Sequence, residues 1–227
     1  MGSASTTASE GSHRRPRADA ARNRERILQA ASELFRDRGL EVPVTEIADR
    51  AGVGRATLFR NFPTKADLVT AIIAERMRAA VDLGQALLRA GEPRGGLLAS
   101  LIDPIAEGQQ IDRALFEGVG AEELFDSPEI QAVHSELIGV IDALIGADHA
   151  AGTIRGDIGA FDVLMLIKGA CKVAVEVSGE DGRRVLARQM TLVRSAISAV
   201  AESDCPLPGG PLTPEDYARA HRCTGRA

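Results

Sequence analysis

The chain has 227 residues, 44% hydrophobic and 26% charged, a folded globular composition that excludes a wholly disordered chain or a fibrous repeat. No run of about 18 uncharged apolar residues reads as a membrane span, and the first residues lack an apolar signal core, so the expected location is cytoplasmic. Net charge is −5, but unevenly spread: residues 1–65 carry 12 basic against 8 acidic side chains, and residues 66–227 carry 15 against 24. The three cysteines, Cys171, Cys205 and Cys223, form no C-x-x-C pair, so no disulfide framework, metal site or cofactor is expected.

Residues 1–17 are rich in Ser, Thr, Gly and Arg, cannot bury a core, and are expected to form a basic disordered arm. From Ala18 the pattern turns helical. Ile27, Leu28, Ala31, Leu34 and Phe35 make one apolar stripe, and Gly39 stands where a left-handed cap belongs. Two short helices are predicted at about 44–50 and 55–61. Thr64 with Asp67 three residues on is a capping pair that opens a long helix, from Lys65 to about Ala90. Ser127-Pro128-Glu129 starts another, ending before Gly152. Asp157 is the expected cap of an apolar helix through Val177, and a last major helix is predicted from about Asp181 to Ser203. The segment PLPGGPL after Cys205 forbids regular structure, and Thr213-Pro214-Glu215-Asp216 then opens a short terminal helix through Tyr217 to about His221. No alternating strand signal occurs, so the fold class is all-α.

The two short helices flank Ala51-Gly52-Val53-Gly54. Steeply crossed helices need a small residue where they touch, a flexible turn and inward apolar groups. Ala48 and Gly52, with Ile47, Ala51, Val53 and Leu58, supply these, which is the grammar of a helix-turn-helix. A tight helical hairpin without DNA contact would use the same pattern.

The stretch from Arg24 to about Leu68, with its string A-G-V-G-R-A-T-L-F-R-N-F-P-T-K, resembles the DNA-binding domain of the tetracycline-repressor (TetR) family of bacterial regulators. The resemblance implies a three-helix DNA-binding domain (18–64) and a larger helical ligand-binding and dimerisation domain (65–204), between the disordered basic arm (1–17) and the Pro/Gly-rich tail with its short terminal helix (205–227) that the residue types give. It implies double-stranded operator DNA as partner, with the second short helix as recognition helix. The DNA-facing set is then Thr45, Arg55, Ala56, Thr57, Phe59, Arg60, Asn61 and Lys65. The chemistry suits that role. Arginine pairs bidentately with guanine, asparagine reaches adenine or phosphate, and Lys65 with the exposed amides of its helix's first turn grips a phosphate. Three positions depart from the family pattern: Pro43 replaces a threonine, Gly54 a serine and Phe59 a tyrosine, each removing a side-chain oxygen. The arm containing Arg14, Arg15, Arg17, Arg22 and Arg24 is expected to offset them by tracking phosphate or the minor groove.

In the second domain the resemblance implies a homodimer built on helices 157–177 and 181–203, with Ala160, Val163, Ile167, Ala170, Ala174 and Val177 as a close-packing stripe; packing within one chain would want the same stripe. It also implies a small-molecule effector, whose binding shifts the long helix, apolar at Leu68, Ile72, Met77 and Val81, and so respaces two recognition helices. Candidate pocket residues are Phe116, Phe125, His134, Phe161, Met165, Lys168 and Cys171, which bring aromatic, soft or polar groups into aliphatic helices. No nucleophile elbow, phosphate loop or zinc-helix motif points to an enzyme. The expected function is a ligand-responsive repressor. The alternative is a helical small-molecule-binding or interaction protein whose helix-turn-helix no longer reads DNA, which Pro43, Gly54 and Phe59 keep open.

Overall fold

The structure, a computed structural model, describes residues 14–91, 96–106, 127–177, 179–199 and 206–216. Eight helices of four residues or more are found among them: α1 (Arg14–Arg38), α2 (Val44–Ala51), α3 (Arg55–Asn61), α4 (Lys65–Ala90), α5 (Leu97–Ala106), α6 (Pro128–Ala151), α7 (Ala160–Val177) and α8 (Gly179–Ile197). The fold is all-α, and the only strand-like pairing among the described residues is one antiparallel bridge, Ile154 to Ser198. The chain divides into two compact units between Leu68 and Val69, within α4.

In the first unit α2 and α3 pack on α1. The α1 stripe is buried as its spacing predicts: Ile27, Leu28, Ala31 and Phe35 are 2% exposed or less, and Gly39 ends the helix in the left-handed region at φ 74°. Ile47, Ala48, Ala51, Leu58 and Phe62 are also buried. Each such large side chain contributes about 1.5–3 kcal/mol by leaving water. The helix starts earlier than expected, at Arg14 inside the stretch read as an irregular arm. Pro16 permits this because it occupies the first turn, where backbone amides have no helical acceptor and a missing N–H costs nothing.

In the second unit α5 packs on α6 and α8, and α7 packs on α6 and α8. Val81, Leu98, Ile102, Leu144, Ile158, Val163, Leu186 and Met190 lie in its core. At Gly84 α4 meets α6 so closely that an added Cβ would collide with Val140. By length and hydropathy alone α6 would suffice to cross a membrane. Its Ile130, Val133, Val140, Ile141, Leu144 and Ile145 are buried in the protein instead.

The start of α6 holds, while two other expected boundaries move for tertiary reasons. Ser127 occupies the cap position of α6 and Pro128 its first turn, but the serine side chain makes no capping bond. Asp157 does not cap α7: its carboxylate is taken by the Arg155 guanidinium (2.8 Å to Nη2) and by the Leu207 amide (2.9 Å). The helix opens instead at Ala160, where Asp162 accepts the Gly159 amide at 2.8 Å. The last helix stops at Ile197, short of Ser203, because the chain leaves helical geometry to pair with the α6–α7 linker. There Arg155 donates its amide to Ile197 at 2.9 Å, and Ala199 donates to Thr153 at 3.2 Å. The Thr213–Asp216 capping pair forms and residues 214–216 are helical; Cys205, Tyr217, His221 and Cys223 lie outside the described residues.

Candidate nucleic-acid interface

Gly52 terminates α2 at φ 62°, and the Gly52 and Val53 amides donate to Asp49 and Ala48 at 3.1 and 3.0 Å. A left-handed residue closing the last turn is the reason for glycine. Gly52 is exposed, so it makes the turn and is not the helix-crossing contact that its spacing suggested. Its carbonyl accepts a hydrogen bond from Arg26 Nη2 at 3.1 Å, which ties the turn to α1. Arg50 on α2 reaches Glu33 on α1 at 2.7 Å and holds that carboxyl below its usual range. Arg38 pairs with Glu46 as a third strut. Gly54 and Pro43 are the N-caps of α3 and α2, and neither offers a side-chain cap.

This frame holds α3 with Leu58 buried beneath it and Arg55, Ala56, Phe59 and Arg60 exposed; Phe59 is 49% exposed. Thr57 and Asn61 are half-buried on the flank. Asn61 donates to the Thr57 carbonyl at 2.7 Å, and Arg60 donates to the Thr57 hydroxyl at 3.1 Å. Arg55 has no ion-pair partner among the described residues. Thr45 is half-buried in the first turn of α2. Lys65 stands at the start of α4 with its ammonium 5.8 Å from the centre of the Phe35 ring, and Thr64 and Asp67 form the expected capping box at 2.9 and 3.1 Å.

Two arginines of the expected basic arm have partners within the first unit. Arg22 pairs with Asp19 one turn away, and Arg24 lies over the Phe62 ring at 4.6 Å. Both are positions of a continuous helix, and the cation–aromatic contact holds Arg24 against the folded unit. Arg26, whose bond to Gly52 fixes the turn, escaped the sequence reading because a contact 26 residues away leaves no local pattern.

Five of the seven proposed pocket residues lie among the described residues. Phe161, Met165 and Lys168 share a half-buried face of α7, His134 is half-buried on α6, and Phe116 and Phe125 lie outside the described residues. Cys171 belongs to the core, where burial pushes its thiol up to about 11. Burial, and secondarily Lys172, lowers the pKa of Lys168. A groove of about 330 Å³ does lie between α4 and α6. Its lining includes Arg78, Asp82, Glu129 and Glu136 and none of these candidates. The α7 stripe read as a dimer face is corrected at Ala160, Val163, Ala170 and Ala174, which are 7% exposed or less within the single chain, while its last member, Val177, is exposed together with Leu166 and Val173.

Residues 27–72 match the family model of bacterial regulatory proteins of the tetR family. The chain is 30% identical to the TetR transcription regulatory protein of Mycobacterium vanbaalenii, with a TM-score of 0.58 over 81% of this chain and 99% of that one. It is 26% identical to Thermus thermophilus FadR, a TetR-family transcriptional repressor solved in complex with lauroyl-CoA, with a TM-score of 0.51 over 82% of this chain and 100% of that one. Among curated proteins it is 36% identical over 99 residues to the transcriptional activator FasR of Mycolicibacterium smegmatis, which is 41% of this chain and 45% of that one. The matches span less than half the length of the first curated relatives.

Proposed function

The chain belongs to the tetR family of bacterial regulatory proteins, and from that premise we propose that it is a homodimeric DNA-binding transcriptional regulator, a repressor released from a pseudo-palindromic operator by a small-molecule effector. It is read as a binding protein and not as an enzyme. The observation that carries the DNA-binding reading is the exposed face of α3, where two guanidiniums and two apolar side chains project from a helix whose other side is buried. Thr45, Thr57, Asn61 and Lys65 flank that face as phosphate or base contacts, Lys65 by placing its charge at the amide end of a long helix.

Dimerisation is supported by Leu166, Val173 and Val177 on one outward line of α7 and by Leu192, 57% exposed, on α8. Two recognition helices presented by such a dimer must match major grooves about 34 Å apart, so a small change of spacing is enough to release DNA. The effector reading is supported by the larger helical unit and by a similar repressor that binds lauroyl-CoA. An apolar or acyl-bearing molecule is the corresponding class, with Phe116, Phe125, His134, Phe161, Met165, Lys168 and Cys171 as candidate contacts.

The test is a titration of the purified chain against its own upstream intergenic DNA, with unrelated competitor, at two salt concentrations. Saturable binding that survives competitor is expected, and Arg55→Ala should lose about 1–3 kcal/mol of it while keeping helicity. Binding that any competitor abolishes across the upstream region would overturn the reading.

A further inference from the structure

The exposed residues of α3 fall in a definite order around the helix. At about 100° per residue, Arg55 stands at one edge, Phe59 at about 40°, Ala56 at about 100° and Arg60 at about 140°. The centre of the face is therefore apolar, a phenyl ring beside a methyl group, and the guanidiniums are its rims. The hydrogen-bonding side chains Thr57 and Asn61 lie around the flank and are bonded within the helix. A helix laid in the major groove along this face meets base edges first with carbon.

The major groove of B-DNA offers one apolar group for such a centre, the 5-methyl of thymine, and alanine and phenylalanine are side chains that contact it. We infer that α3 selects thymine methyls at the middle of each half-site through Phe59 and Ala56, with Arg55 pairing to a flanking guanine. The inference rests on the DNA-binding reading above and makes Phe59 a specificity-determining residue. The ring is half-exposed and holds up no core, so its role is separable from folding.

Duplexes selected from a random pool by the full-length protein supply the site. The thymines of the selected half-site are then replaced one at a time by deoxyuridine, which removes only the methyl. Wild type should lose about fourfold in affinity for each contacted methyl, the worth of one buried carbon. Phe59→Ala should bind the thymine duplex more weakly and lose the discrimination at the methyl that the ring contacts while keeping it at the methyl against Ala56, whereas Phe59→Leu should retain part of the discrimination at the first. Selective binding by wild type that ignores every uracil replacement would overturn this inference and leave the regulator reading standing. A pool that yields no preferred sequence would overturn both.

Discussion

The carboxylate of Asp148 accepts the backbone amide of Leu97 at 2.8 Å, and its second oxygen accepts that of Leu98 at the same distance. Asp148 is fully buried, so a residue of α6 acts as the cap of α5 from fifty positions downstream. The chain turns into α5 through Gly96 at φ 96°, where a Cβ would stand 3.1 Å from Asp148 Oδ2. A carboxylate at the amide end of a helix is favoured both by hydrogen bonding and by the helix dipole. Asp148→Ala strands two buried amides, each at about 1–3 kcal/mol, and should lower stability by about 2–6 kcal/mol in urea unfolding. Asp148→Asn keeps one acceptor and should fall between. A loss under about 0.5 kcal/mol would mean that the amides are satisfied another way.

Two glycines of the turn before α3 should respond with opposite signs. At Gly52 the positive φ makes any side chain strained, and an added Cβ would strike the Arg26 guanidinium that bonds the turn. Gly52→Ala should cost about 1–2 kcal/mol and weaken DNA binding along with stability. Gly54 has φ −68° and ψ 147°, an ordinary extended cap, and nothing lies within 4 Å of a Cβ there. Gly54→Ser should cap α3 and reduce unfolded-chain entropy, raising stability by about 0.5–1 kcal/mol. Thermal melts of the two variants decide both, and a drop at Gly54→Ser would show that the bare amides of α3 are better left open.

Helices whose determinants lie within a turn or two were legible in the sequence. The stripe of α1, the Thr64–Asp67 box and Gly152, left-handed at φ 67° after α6, are all local chemistry. What was illegible depends on residues far apart in the chain. The helix α5 was not foreseen, since Pro104 sits within it and its cap comes from Asp148. Asp157 reads as a helix cap until Arg155 and Leu207 claim its oxygens. The α7 stripe showed that small residues pack closely, but spacing carries no information on whether the partner is the same chain. At the interface the residue set of α3 was legible, while its order around the helix, apolar centre and charged rims, became a statement about specificity only once Leu58 was seen to be buried.

The segment 206–212 is tied to the α6–α7 linker by the Leu207 amide on Asp157 and to the first turn of α7 by the Leu212 amide on Asp162 at 3.2 Å. The Arg155 guanidinium, then the Leu207 amide, hold the Asp157 carboxyl at about 2, below its ordinary 3.8. A lowered folded pKa means that the stabilisation is fully present above the ordinary value and is lost as pH falls through about 2. Urea unfolding across a pH series should therefore show Asp157→Asn less stable than wild type by a constant amount from neutral pH down to about 4, with the gap closing toward pH 2. A gap that widens on acidification would contradict the pairing.

Leu166, Val173 and Val177 stand at i, i+7 and i+11 on α7, one line along the helix, and are 42, 46 and 45% exposed. A line of large apolar groups left in solvent on an otherwise packed helix is the mark of a surface covered by a partner. Ala170, one turn on from Leu166, is 7% exposed and lies in the core of the chain itself. The two positions make a paired test. Val173→Glu puts a charge on the outward face, and the variant should keep its helicity and thermal stability while its mass in solution falls to that of one chain. Ala170→Glu buries the same charge in the core and should unfold the second unit. Linking two half-site contacts is worth about 10²–10⁴ in avidity, so Val173→Glu should lose at least the lower figure on a full operator while binding a single half-site as wild type does. Light scattering and half-site titration read the two effects separately. A Val173→Glu protein that remains a dimer would move the partner surface away from α7.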